Sequence, residues 1–127
     1  MPSTLIPRGK LTLQNISMPA DTNPYGDIFG GWLLSQMDIA GAVLAQEIAK
    51  GRVITVAVSS MAFLHPVPVG ALVTCYSQLV KIGNTSIRIG LEVWIKDYRE
   101  EQIIKVTQGE FIYVAIDDQG KKRKVDL

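Results

Sequence analysis

Asp38 stands in the least expected surroundings of any ionisable side chain in this sequence. From Ile28 through Gln46, in "IFGGWLLSQMDIAGAVLAQ", it is the only formally charged residue. A carboxylate inside an apolar helix costs several kcal/mol unless something pairs with it or uses it. At helical spacing Asp38 shares a face with Gly31, Ser35 and Ala42, with Gly41 alongside. Trp32, Leu33, Met37, Ile39, Val43 and Leu44 point elsewhere. Small residues beside an acid leave room for a ligand. The start of the same helix supplies a complement, because first-turn N–H groups lack an intrahelical acceptor and carry partial positive charge. Glycine at positions 30 and 31 leaves these groups unobstructed, so a carbonyl oxygen can dock there and be stabilised as it gains charge. A carboxylate two turns further on can activate water or attack directly. An electrophile suited to both features is an acyl carbonyl. Two plainer readings compete: Asp38 pairs with an arginine or caps a neighbouring backbone, and the glycine pair only permits tight packing.

Other candidates for chemistry are sparse. His65 is the sole histidine, and it precedes Pro66 in a turn. With no Cys/His cluster near it, a metal site is not expected. Ser35 has no His and acid partners for a serine hydrolase triad. No phosphate-binding Gly-rich lysine motif occurs. Asp27, just ahead of the helix, is expected to cap it or to sit favourably at the positive end of its dipole. Cys75 lies alone in an apolar strand, which suits a buried thiol in a reducing compartment.

The elements that must position these residues are legible from pattern. A short strand is expected over Lys10 to Met18, and "PADTNPYGD" is an irregular loop. The helix spans Gly30 to about Lys50, with Gly51 as its stop. Strands follow over Val53–Leu64, Leu72–Ile82, Thr85–Lys96 and Gln102–Ile116. The third of these alternates most clearly, with Ile87, Ile89, Leu91, Val93 and Ile95 on one face. Gly109 in the last strand marks a bulge or a close approach. Residues 1–9 and 118–127 are expected to be flexible tails of a single domain. One helix apolar nearly all round needs cover on most sides, and a curved antiparallel sheet wrapped around it is the economical solution. That is an α+β hotdog fold. A sheet of this size leaves edges open, so pairing with a second copy is expected.

Bulk composition agrees. The chain has 127 residues, 47% hydrophobic and 20% charged, which is enough for one cored domain. Its 13 basic and 12 acidic side chains give a net charge of +1, so no protein-wide field favours nucleic acid. The "KKRK" run at 121–124 is expected to be a solvated tail. No signal-peptide block opens the sequence, and Ser35, Gln36, Asp38 and the glycines argue against a membrane span. The default location is the cytoplasm.

The stretch "MPADTNPYGDIFGGWLLSQMDIAGAVLAQEIAKGRVITVAVSSMAFLHPV", with the "GNTSI" turn and the "EVWIK" strand, closely resembles the short bacterial acyl-CoA thioesterases of the YciA type. The resemblance covers about residues 10 to 117. It implies hydrolysis of acyl-CoA, a hotdog fold, no metal or redox cofactor, and homodimers assembled as trimers of dimers into hexamers. It also implies that Asp38 is the catalytic general base or nucleophile. Asn23 would approach the thioester from the other subunit, and the Gly30–Gly31 backbone would bind its oxygen. Ser59 and His65 stand where relatives often carry an acidic and a basic residue, so both bear on CoA contacts. Ser35 lines the same face, and Arg52 and Arg88 are candidates for the CoA phosphates. Two rivals are a non-catalytic acyl-CoA-binding module and a hotdog enoyl-CoA hydratase. The hydratase would need an Asp/His pair, and no histidine lies within 18 residues of Gly31–Gln46.

Overall fold

The computed structural model describes residues 6–125. Strand β1 (Lys10–Ile16) leads through a 3-10 turn at Pro19–Asp21 into α1 (Gly30–Ala49). Four longer strands follow, β2 (Val53–Phe63), β3 (Leu72–Ile82), β4 (Ser86–Lys96) and β5 (Ile104–Ala115). All pair antiparallel in one sheet of order β1-β3-β4-β5-β2. The helix lies on one face of that sheet and touches all five strands. This is the expected hotdog layout.

The period of two in β4 builds the core. Ile87, Ile89, Leu91, Val93 and Ile95 are each at most 2% exposed. They meet Leu33, Met37, Ala40 and Ala45 of the helix, Cys75 of β3, and Phe111 and Tyr113 of β5. Burying an aliphatic side chain of this kind contributes ~1.5–3 kcal/mol. The alanines and Gly41 on the buried helix stripe let the helix axis sit close to the sheet. Ser77, buried on β3, donates its hydroxyl to the Ala40 carbonyl at 3.1 Å, which fixes the helix along its length.

Gly109 marks a close approach. Met61 folds over it so tightly that a Cβ there would collide with the Met61 sulfur. The bulge itself is in the partner strand, between Ser59 and Ala62, where Ser60 adopts a left-handed φ of 55°.

Two expectations about chain ends change. Lys50, not Gly51, takes the left-handed position that ends the helix. Gly51 instead makes room, since a Cβ there would stand 2.8 Å from the Arg123 guanidinium. Arg123 uses that space to donate to the Ala49 carbonyl at 2.6 Å, satisfying one orphan acceptor of the helix end. The C-terminal segment is therefore held rather than free. Its backbone bonds to Ala115 and Asn84, and Val125 is buried. At the other end, residues 1–5 lie outside the described residues, and Gly9 packs against the Ser77 carbonyl.

Burial pushes the Cys75 thiol up to about 12, so almost none is thiolate at pH 8. A colourimetric disulfide reagent is expected to find no reactive thiol in the native protein and one per chain in guanidinium. Immediate reaction of the native protein would show that β3 opens readily. No helix among the described residues is long and apolar enough to cross a membrane.

Candidate active site

α1 buries one stripe and leaves another open. Gly31, Ser35 and Ile39 are exposed and Asp38 is half-buried. The carboxylate is thus not sunk in the core, as an all-round apolar helix suggests. It stands at the margin between helix and sheet, beside the edge strand β2. There Thr55 donates its hydroxyl to Asp38 Oδ1 at 2.6 Å. The plainer reading of Asp38 does not fit this placement, since it makes no salt bridge and caps no backbone among the described residues. From below, Tyr113 of β5 donates its phenol to the Asp38 main-chain carbonyl at 2.7 Å. Burial, followed by the nearby Asp38 charge, pushes the Tyr113 phenol far above its ordinary range, so it stays a donor. Thr55 and Tyr113 are cross-strand partners in the β2–β5 register.

The helix start is as open as the glycines suggest. Its cap position is Phe29, which supplies no side-chain hydrogen bond, and Trp32 and Leu33 already use the Phe29 carbonyl. Among the described residues the N–H groups of Gly30 and Gly31 have no acceptor. A Cβ on Gly31 would meet nothing within 4 Å, and one on Gly30 would only brush the Phe63 ring. Asp27 does not cap this helix; its backbone pairs instead with Asn23 and Pro68. The donors are left for something else.

Asn23 belongs to this end. Its side-chain oxygen accepts from the N–H groups of Tyr25 (2.9 Å) and Asp27 (3.1 Å), which tightens the loop and fixes the side chain. Its amide N–H groups donate to nothing among the described residues. Asn23, Gly30 and His65 line one cleft of about 360 Å³ with Leu33, Phe63 and Leu64. His65 is exposed in the turn, with Nδ1 lying 2.7 Å from the Pro66 carbonyl.

The structure therefore sorts the sequence candidates into separate groups. Asn23, Gly30 and His65 share the cleft at the helix start, with Gly31 beside it, and Asp38 and Thr55 form a second group two turns along. Ser35 lies between them on the open face, its hydroxyl turned back to the Trp32 carbonyl at 2.7 Å. Ser59 and Arg88 are together but elsewhere. On the sheet face away from the helix, Arg88 pairs with Glu110 at 2.9 Å and reaches Ser59 at 3.5 Å. Arg52 lies beyond the far end of the helix and donates to the carbonyls of Asp117 and Asp118. Thr55, which donates to the Asp38 carboxylate, is the contact that sequence reasoning missed.

Beside Asp38 the sheet ends in a bare edge. Ile54, Val56 and Val58 of β2 are 44%, 50% and 41% exposed.

Known proteins share this fold and much of this sequence. The profile of the thioesterase superfamily matches residues 25–102. The acyl-CoA thioester hydrolase YciA of Salmonella typhimurium is 58% identical over 124 residues, covering 95% of this chain and 93% of its own. The crystal structure of a hexameric thioesterase from Yersinia pestis superposes with a TM-score of 0.91 at 53% identity, over 96% of this chain and 99% of that one. The acyl-CoA hydrolase of Staphylococcus aureus, solved with butyryl-CoA, matches with a TM-score of 0.82 at 26% identity, over 89% and 69%. Its structure is also known with an asparagine, an aspartate and a threonine each replaced by alanine. Those three residues are spaced along that chain as Asn23, Asp38 and Thr55 are along this one. Sequence and fold agree: the chain belongs to the thioesterase superfamily, in its branch of short acyl-CoA thioester hydrolases.

Proposed function

We propose that this chain hydrolyses acyl-CoA thioesters to the free carboxylic acid and CoA, using Asp38 as general base or nucleophile. The observation that carries this is the half-buried Asp38 carboxylate, held by Thr55 on an open helix face, in a chain that also leaves the Gly30 and Gly31 N–H groups without acceptors among the described residues. The backbone donors polarise the thioester oxygen and stabilise the negative charge that it gains in the tetrahedral intermediate. Water attacks the carbonyl carbon, its proton passes to Asp38, and the C–S bond breaks to release CoA as its thiol. In the nucleophilic variant an Asp38 anhydride forms first and water then opens it. Either route needs a carboxylate, backbone donors and water, and calls on no metal or redox cofactor.

Geometry favours two copies per site. Gly31 and Asp38 are seven residues apart on one helix, about 10 Å along its axis. A base and an oxyanion donor serving one carbonyl each stand ~3 Å from the reacting atoms. Asn23 with the Gly30–Gly31 donors thus comes from one copy, and Asp38 with Thr55 from the other. The bare β2 edge supports the same assembly. A long apolar edge strand left open invites aggregation, whereas β1, the opposite edge, is shorter and carries Lys10, Gln14 and Asn15. Pairing β2 of two copies about a two-fold axis would set the open face of each helix beside its mate. Three such dimers would make a hexamer, the state of the Yersinia pestis relative. Ser35, Ser59, His65, Arg52 and Arg88 remain candidates for CoA contacts, with His65 best placed by its cleft.

Crotonyl-CoA separates the reaction classes. The expected outcome is free thiol and crotonate in equal amounts, with the double bond retained. Water addition without thiol release would make the protein a hydratase, and tight binding with neither product would make it a carrier of CoA esters.

A further inference from the structure

Tyr113 is fully buried among core side chains and is stacked near Phe111. Phenylalanine would fill that volume without bringing a hydroxyl into the core, where it must find a partner. The partner it finds is not an orphan group. It is the Asp38 carbonyl, which lies mid-helix and already serves the helix ladder. The helix makes an allowance for this contact. A Cβ at Gly41 would collide with the Tyr113 hydroxyl, and glycine inside a helix is otherwise an unfavourable choice. Directly across the β2–β5 ladder from Tyr113 is Thr55, which bonds the carboxylate of the same residue.

We infer that Tyr113 and Gly41 are positioning residues for the reaction: the phenol grips the Asp38 main chain while Thr55 grips its carboxylate, so one cross-strand pair sets both the height and the aim of the base. The inference presupposes that Asp38 is the catalytic carboxylate. A carboxylate misplaced by about 1 Å can cost ~10²-fold in rate, and loss of one of two grips is expected to cost less than that.

The control is built into the fold. Ser77 makes an equivalent hydroxyl-to-carbonyl bond to Ala40, two residues on, without touching Asp38. Initial rates of thiol release from a short acyl-CoA by the intact oligomer provide the readout. For Tyr113→Phe, kcat is expected to fall about tenfold with KM within about twofold. Ser77→Ala is expected to lower Tm and keep kcat. Gly41→Ala, which displaces the hydroxyl, should repeat the kcat loss. Tyr113→Phe combined with Thr55→Val should lose less than the product of the two single losses, because both act through one residue. Wild-type kcat in Tyr113→Phe or in Gly41→Ala overturns the inference, as does an equal kcat loss in Ser77→Ala. Asp38→Ala, assayed beside them, keeps the two levels apart. If it is inactive while Tyr113→Phe is unimpaired, only the positioning role falls. If Asp38→Ala is fully active, the catalytic assignment falls first.

Discussion

Replacing Asp38 by alanine is expected to lower kcat for thiol release by ~10²–10⁴-fold, the range general-base removal produces. The folded protein should survive the change. Asp38 is half-buried and its carboxylate has one bond among the described residues, from Thr55 at 2.6 Å, so the stability cost is about 1 kcal/mol. Helix packing rests on the opposite stripe, on Leu33, Met37, Ala40 and Ala45, which the substitution leaves alone. Asp38→Asn is the sharper variant. It keeps shape and the Thr55 contact but can neither take a proton from water nor attack, so it should be as impaired as alanine. Circular dichroism and sedimentation of the variants would establish that fold and assembly are intact. A correctly assembled Asp38→Asn with wild-type turnover would remove the carboxylate from the mechanism.

Two inactive variants mixed together are expected to regain activity. Asn23→Ala removes an amide whose N–H groups bond nothing among the described residues, and a loss of ~10²-fold is expected if that amide meets the thioester. If Asn23 and Asp38 serve one site from different copies, a mixed dimer of Asn23→Ala with Asp38→Ala has one site with both residues and one with neither. Random re-pairing makes about half of the dimers mixed, so about a quarter of wild-type activity should return. Were both residues to act from the same copy, every site in the mixture would lack one of them and no recovery would follow. Co-expression with two affinity tags isolates the mixed dimer, and its rate per site decides the matter. The open β2 edge, with Ile54, Val56 and Val58 exposed, is the surface through which such dimers would form.

How much of this was legible in the sequence depends on how local each signal is. The alternation of β4 and the apolar character of α1 nearly all round are local, and they led to the sheet and to the helix that it covers. Asp38 stood out because its neighbours in the chain are apolar, and Gly30–Gly31 because they precede a helix. Thr55 was invisible. It is one threonine in a β-branched run, and its bond to Asp38 depends on where the edge strand lies beside the helix. Tyr113 was invisible for the same reason, since its partner is 75 residues away. Arg123 looked like one charge in a basic tail, yet it caps the helix because Gly51 leaves space. Composition cannot distinguish a solvated arginine from one aimed at a carbonyl. Asp27 erred in the other direction. An acid ahead of a helix suits a cap, but Phe29 occupies the capping position and the donors stay open.

The most direct measurement is the initial rate of thiol release by the purified protein on acyl-CoA esters from acetyl to palmitoyl. The expected result is cleavage of at least one ester, with acid and thiol formed in equal amounts and the rate abolished in Asp38→Asn. Binding of these esters without cleavage of any would contradict the assignment of a thioesterase.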